Sequence, residues 1–357
     1  MSKFLITNIL LVLLLSLTGC GMVEVEEYSI ISGIGVSYEN DEYEVTFEIY
    51  KENNGETTNL TAITKSAKGK TLSHAISNLS KIMYKQPYLN HCLILLFDKN
   101  ILEQKLDETL NYFIHDVRIR SSCYLIVSED LTPKELLEKS KELNYVVSYS
   151  LYKQIEHKPS IVGIWSKSNF DFILNERIDK NGIIILPIVK YDNDFDIKGA
   201  YAIKNEKEIY YVTPEEILVI QFFRNFVDEG LTNQNNKYIY IKTSQCDLEK
   251  KDNEINLIIK LKVITYDYLE INFNDESQKI QYTLELKKSI EENVISIFNK
   301  YQELNIDPFA IYRFLEIKDK NYKKIKDNYY EYFKMINLKV SVYIDLLSTG
   351  LSEERIE

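Results

Sequence analysis

The residues best placed to do chemistry are Leu17-Thr18-Gly19-Cys20, which close an apolar run that begins at Phe4. Lys3 gives the start one positive charge, and only Thr7, Asn8 and Ser16 interrupt the run before Leu17. Its apolar centre is shorter than the roughly 20 residues of a spanning helix. A charged start, a short apolar centre and small residues before a cut are the layout of an export signal. Leu-Thr-Gly-Cys has the form of a lipobox: a thiol to alkylate, preceded by small residues that fit a peptidase. Cys20 is therefore expected to carry a diacylglyceryl group and become the new N-terminus, with residues 1–19 removed. Two acyl chains on one cysteine hold a protein on a membrane stably, where one chain is marginal. The competing reading is an uncleaved anchor helix with an incidental cysteine. On either reading the chain after Cys20 is expected outside the cytoplasm, tethered to a membrane.

Other familiar constellations fail at named positions. Gly69-Lys70-Thr71 looks like the end of a phosphate loop, but the glycine needed five residues earlier is Thr64. It reads as a turn and a helix cap. Asp192-Asn193-Asp194-Phe195-Asp196 looks like the start of a calcium loop. Ile197 and Ile203 occupy the places that require glycine and glutamate. Gly33-Ile34-Gly35 lacks the third glycine and following helix of a dinucleotide loop, and sits inside a strand pattern. His74, His91, His115 and His157 have no metal spacing. His91 is the one to watch, because it opens an apolar run, although a single histidine is more often a hydrogen-bonded structural residue. Cys92, Cys123 and Cys246 form no disulfide or zinc framework, and the first two read as small buried hydrophobes. No catalytic residue, cofactor or metal is expected.

Cleavage before Cys20 leaves 338 of 357 residues and, with Lys3 gone, moves the formal charge from -11 to -12. That length suits two or three domains. The acidic balance argues against nucleic acid, and against lying flat on anionic lipid through basic patches. Nothing after the signal is long and apolar enough to span a bilayer. The 27 tyrosines imply many amphipathic contacts and no particular chemistry.

After a polar lead at 21–27, Tyr28–Val36 and Tyr43–Tyr50 read as a hairpin across Glu39-Asn40-Asp41-Glu42. In the second strand Tyr43, Val45, Phe47 and Ile49 alternate with polar residues. Residues 51–57 are a polar loop and Leu60–Ala67 a third strand. A helix then presents Leu72, Ala75, Ile76, Leu79, Ile82 and Met83 on one face. Leu89–Phe97 reads as a strand covered on both sides, Leu102–Phe113 as a helix and Cys123–Val127 as a strand. Thr132-Pro133-Lys134-Glu135 is a capping box, opening an irregular helical region that runs to Arg177. Ile183–Val189 is a buried strand, followed by an acidic joint at Tyr191–Asp196.

Beyond the joint lies a hairpin, Gly199–Ile203 with Glu208–Val212. A second capping box, Thr213-Pro214-Glu215-Glu216, opens a helix expected to end at Gly230. Two long strands follow, Tyr238–Thr243 and Ile255–Tyr266, then a helix at Glu276–Lys300. Two further helices flank Pro308, and Leu338–Leu346 is the last strand. The fold class is α+β and multi-domain, with mixed or antiparallel sheets and helices packed on them. The expected division is a signal at 1–19, an N-terminal module at 20–190, divisible near 130, and a C-terminal domain at 191–357.

Several segments together resemble the Ger(x)C family, the lipoprotein C subunits of spore germinant receptors. After the lipobox, Ile31-Ser32-Gly33-Ile34-Gly35-Val36 followed by Tyr43–Ile49 is similar to the family's opening hairpin. Asn90-His91-Cys92-Leu93-Ile94-Leu95-Leu96-Phe97 resembles its His-bearing strand. Gly199–Lys204 and Thr213–Glu216 resemble the start of its C-terminal domain. Tyr301-Gln302 and Asp307-Pro308-Phe309 lie where the family carries a Gln and an Asp-x-Phe element. Tyr322, Tyr329 and Phe333 match a helix that usually bears two tryptophans and a phenylalanine. Their spacing puts them on one helix face, read here as core packed against the last strand. Departures are Gly21-Met22 in place of Trp-Asp, Ser37 in place of Asp, and tyrosine for both tryptophans.

The resemblance covers the mature chain. It implies a non-enzymatic subunit on the outer face of the spore inner membrane, beside integral membrane A and B subunits in the response to nutrients. The rival readings are a solute-binding lipoprotein of a transporter, which needs two similar lobes around a cleft, and a lipoprotein enzyme acting on the envelope.

Overall fold

The alternation of Tyr43, Val45, Phe47 and Ile49 becomes a strand whose apolar side chains all point into one core. The computed structural model describes residues 27–51, 61–157, 163–205, 207–227, 229–234, 237–265 and 275–347. The signal, the lipobox and Cys20 lie outside the described residues, as does the loop expected at 51–57 apart from Lys51.

Strands β1 (Tyr28–Glu39), β2 (Glu42–Tyr50) and β3 (Ala62–Gly69) form an antiparallel meander. The first turn is Asn40-Asp41, both at positive φ (51° and 61°), the backbone a tight hairpin demands. Helix α1 (Leu72–Lys81) returns along β3 and delivers the chain to β4 (Gln86–Tyr88) and β5 (Ile94–Phe97), both parallel to β1. Helix α2 (Leu106–His115), entered through a π-turn at Ile101–Lys105, crosses over to β6 (Tyr124–Ser128), parallel to β5. Four helices follow: α3 (Pro133–Glu138), α4 (Ser140–Leu143), α5 (Val147–His157) and α6 (Phe170–Ile178). They lead to β7 (Ile183–Asp192), parallel to β6, and then to β8 (Asp194–Lys204) and β9 (Glu208–Val212) in antiparallel hairpins. The strand order is β3-β2-β1-β5-β6-β7-β8-β9, with β4 also on β1.

The central strands are buried on both faces, as parallel strands with helical crossovers must be. Leu95 and Phe97 enter the core beneath α1 and α2, while Ile94 and Leu96 enter a second core under α3 and α5. β7 and β8 repeat this division. Ile184, Leu186, Tyr201 and Ile203 join the first core, whereas Ile183, Ile185, Ala200 and Ala202 face a third core built by the C-terminal half.

That half begins with α7 (Pro214–Arg224). A four-stranded sheet follows in the order β10 (Gly230–Gln234), β11 (Lys237–Lys251), β12 (Glu254–Thr265) and β13 (Asn337–Leu346). β13 pairs parallel with β12, so it needs a crossover. That crossover is α8 (Glu276–Glu303), about 42 Å long at 1.5 Å per residue, followed by α9 (Ile311–Lys318), α10 (Tyr322–Ile325) and α11 (Tyr329–Lys334). Among the described residues no helix is long and apolar enough to cross a membrane. The α+β class with two sheets and helices packed on them is the observed architecture.

Five sequence expectations are revised. Leu89–Phe97 is not one strand: Leu89–His91 is a 3-10 turn, and pairing starts only at Ile94. The joint at Tyr191–Asp196 is a tight hairpin, with Asn193 at φ 61° and Asp192 opposite Asp194, so the sheet runs on through it. Helix α7 stops at Arg224 rather than Gly230, because Asn225 takes the left-handed conformation and ends the helix, and Gly230 opens β10. No helix ends just before Pro308: α9–α11 all follow it. The single helix expected over Tyr322–Phe333 is divided into α10 and α11 by a 3-10 turn at Lys326–Asn328.

Candidate functional site

Of the residues singled out by sequence, Cys20 lies outside the described residues. His91 is not at the mouth of a buried strand. It is exposed on the 3-10 turn, with its ring centroid 5.5 Å from that of Tyr88. Thr71 is a helix cap, its hydroxyl accepting the His74 N–H at 3.2 Å. Among the described residues no three His, Cys, Asp or Glu side chains are grouped as metal ligands. Cys92 and Cys123, 31 residues apart, bring their sulfurs to 3.9 Å in the core, and burial pushes the Cys123 thiol well up.

Gly33 and Gly35 admit helices rather than a dinucleotide. A Cβ on Gly33 would stand 2.6 Å from Ser148 Cβ, and one on Gly35 2.9 Å from Pro133 Cβ. The ends of α5 and α3 therefore rest directly on the β1 backbone. Beside Gly33, the fully buried Glu48 of β2 reaches the first turn of α5. It accepts the Val147 N–H at 2.8 Å, the Ser148 N–H at 3.0 Å and the Ser148 hydroxyl, and Ser32 Oγ donates to it at 2.9 Å. Burial raises its pKa, and these donors oppose the rise. A carboxylate from another strand thus caps the helix, satisfying donors that a helix start leaves open.

The C-terminal motif residues converge on one cluster. Gln302 donates from Nε2 to the carbonyls of Phe333 (2.6 Å) and Ile336 (2.9 Å), closing the end of α11. Asp307, fully buried, accepts the Tyr329 hydroxyl at 2.5 Å and the Tyr312 N–H at 3.2 Å on Oδ2. Burial lifts its pKa to about 6 against those hydrogen bonds. Phe309 lies against Phe223 and Phe298, with centroids at 4.5 and 5.4 Å, and Phe333 meets Phe298 edge-on at 5.5 Å. Tyr322, Tyr329 and Phe333 are all buried in the C-terminal core with β13 residues Val342 and Leu346, so this face is core. At the start of α7, Glu216 completes the capping box by accepting the Thr213 N–H at 3.0 Å. It also receives Lys300 Nζ and, at 3.3 Å, the Tyr301 hydroxyl from α8.

One charged group escaped the sequence reading altogether. Glu176 on α6 takes Nη1 of Arg224 at 2.8 Å and Nη1 of Arg313 at 3.0 Å on the same oxygen. Arg224 Nε donates to the Pro308 carbonyl at 2.8 Å, and its guanidinium lies 5.5 Å from the Trp165 ring. A cavity of about 640 Å³ opens beside Arg313, bordered by Asn175, Asp179, Lys180 and Lys326. It brings together no pair of carboxylates and no His or Cys. These buried charges fasten elements to one another, and their geometry offers no nucleophile with a base beside it.

Two family profiles match the chain in this order of halves. The family described as "Spore germination protein N-terminal domain" matches residues 21–191, and that described as "Spore germination B3/ GerAC like, C-terminal" matches residues 198–350. The chain belongs to the Ger(x)C family. Spore germination protein B3 of Bacillus subtilis (strain 168) is 24% identical to it, over 98% of each chain. Spore germination protein GerQC of Bacillus cereus is 19% identical over 81% of this chain and 83% of its own. The crystal structure of the GerBC protein shares the fold, with a TM-score of 0.54 at 16% identity, covering 88% of this chain and 97% of that one. In this Ger(x)C chain the motif residues Gln302, Asp307, Phe309, Tyr329 and Phe333 are neighbours in a core rather than a ligand set. Tyr329 uses its hydroxyl to hold the Asp307 carboxyl.

Proposed function

We propose that this chain is the membrane-anchored C subunit of a nutrient germinant receptor. It acts with integral membrane A and B subunits to trigger germination and catalyses nothing itself. The observation that carries this reading is an order: a lipobox ending at Cys20, a germination N-terminal match starting at residue 21, and the matching C-terminal family through residue 350. On this reading Cys20 carries the diacylglyceryl group, and residues 21–357 stand on the outer face of the spore inner membrane. The buried carboxylates support a non-enzymatic role, because each is taken up by donors of its own fold. A solute-binding role calls for two similar lobes, whereas a nine-stranded mixed sheet is followed here by an unlike four-stranded one.

The test is replacement of Cys20 by Ala in the sporulating host. The expected result is loss of acyl labelling, a retained precursor, and a nutrient response reduced to that of a strain lacking the gene. Unchanged acyl labelling would rule out Cys20 as the lipid site. A normal nutrient response in the deletion strain, in which no other receptor answers that nutrient, would rule out the receptor role.

A further inference from the structure

We propose that the end of the molecule where β1 begins is a membrane-contact face, seated on anionic lipid headgroups by Lys81 and Lys85 and on the bilayer interface by Ile82 and Tyr84. The proposal rests on the lipid anchor at Cys20. Its first support is charge. The whole-chain balance of -11 argues against a basic lipid contact, yet charge is segregated along the sequence. Residues 57–97 contain no Asp or Glu and five lysines, Lys65, Lys68, Lys70, Lys81 and Lys85. With this stretch at +5, the remainder of the chain is at -16.

The second support is placement. The strand that follows Lys85 pairs Gln86 with Tyr28 and Tyr88 with Ile30, so the segment 81–85 enters at the outermost end of β1. Lys65 Nζ donates to the Ile82 carbonyl at 2.9 Å, which ties the end of α1 to β3. Tyr28 and Tyr88 sit ring to ring at 5.3 Å. Tyr84 is 97% exposed and Ile82 54% exposed, with Ile63 of the adjoining β3 also exposed. Tyrosine with a wet hydroxyl and an apolar ring favours the headgroup layer. The outward positions of α1 towards this end are Ser77 and Lys81, neither of them acidic.

The third support is the tether. Only residues 21–27 separate Cys20 from Tyr28, so this end lies within roughly 28 Å of the acylated residue however those residues run. Glu24, Glu26 and Glu27 in that stretch oppose anionic lipid. Insertion of Ile82 and Tyr84 must therefore carry part of the contact alongside the lysines.

The test uses full-length acylated protein floated on phosphatidylglycerol–phosphatidylethanolamine vesicles. Cys92, Cys123 and Cys246 are buried, so an added surface cysteine is the accessible thiol among the described residues. An environment-sensitive fluorophore is placed at Tyr84→Cys, or at Glu42→Cys in the turn at the far end of β1, about 36 Å along the strand. The expected result is a blue-shifted emission, quenched by spin-labelled lipid, at position 84 and a water-like emission at position 42. Lys81→Gln and Lys85→Gln should each weaken the position-84 quenching about fivefold on anionic vesicles and little on zwitterionic ones. An anchored protein whose probe at 84 is as wet as that at 42 overturns the proposal while leaving the anchor intact. So does a probe at 84 that is shielded only when the membrane subunits, or a second copy, are added. Acyl labelling that Cys20→Ala does not abolish removes the anchor and this proposal with it.

Discussion

Arg224 on α7 meets Glu176 on α6 at 2.8 Å with both side chains almost wholly buried, 4% and 1% exposed. The pair joins the last helix before β7 to the first helix after β9. Arg313 on α9 adds a second cation to the same carboxylate oxygen. Two guanidinium groups therefore share one carboxylate in the interior. Glu176 Oε2 and Arg224 Nη2 make no hydrogen bond to the described residues. Such a group contributes little net stability compared with an apolar replacement, but breaking it leaves a charge with nowhere to go.

Glu176→Ala should accordingly cost about 3–5 kcal/mol. Trp165, the single tryptophan, lies against Arg224 and reports the site directly by its fluorescence in denaturant titrations. Glu176→Leu combined with Arg224→Met should recover much of the loss, because Arg313 is partly exposed and can turn to water. A single variant as stable as the wild type would show that the cluster is relaxed in solution.

Asp307 gives a stability that depends on pH in a stated direction. Burial raises its carboxyl to about 6, so the folded chain holds a proton that the unfolded chain, near the ordinary carboxylate value, has released. Stability from this group is fully present below about pH 4 and is lost as pH rises to about 6, a change of about 3 kcal/mol. Asp307→Asn is neutral throughout. The unfolding free energy of wild type minus that of the variant should therefore fall by about 3 kcal/mol between pH 3 and pH 7. A flat difference would mean that the carboxylate is solvated in the native state.

Local structure was legible in the sequence where one stretch sets its own conformation. The period-2 run of β2 and the boxes Thr132-Pro133-x-Glu135 and Thr213-Pro214-x-Glu216 fold as their residue types require, each glutamate returning to its cap N–H. What stayed hidden depends on pairs far apart in the chain. Glu48 caps a helix 99 residues away, and Glu176 finds its arginines 48 and 137 residues on. A glutamate in an alternating strand looks solvent-facing until the opposite layer is known. The continuity of the sheet through Asn193 was masked by an acidic composition that suits a hairpin turn as well as a joint.

Gly33 tests the closeness of that layer. Gly33→Ala places a methyl 2.6 Å from Ser148 Cβ, so α5 must lift from β1 and loosen the Val147 and Ser148 amides from Glu48. Overpacking of this kind costs about 1–3 kcal/mol. Ser148→Gly removes the opposing Cβ, and in the double variant the two effects should fall short of their sum. Strict additivity in thermal melts would show that the two residues do not touch.

The aromatic face of α10 and α11 decides between packing and docking. Phe333 is completely buried, edge-on to Phe298 and stacked at 5.9 Å on Tyr329, and its carbonyl is held by Gln302 of α8. Truncating a large aromatic so enclosed leaves a cavity that its neighbours cannot refill, because Tyr329 is fixed by Asp307 and Phe298 by Phe309 and Phe223. Phe333→Ala should therefore cost about 3–5 kcal/mol and lower the melting temperature of the whole chain. Phe333→Leu, which keeps most of the volume, should lose distinctly less. A docking residue behaves in the opposite way, weakening association with little effect on melting. Unchanged melting of Phe333→Ala together with failed assembly on the membrane subunits would transfer this face from the core to the interface.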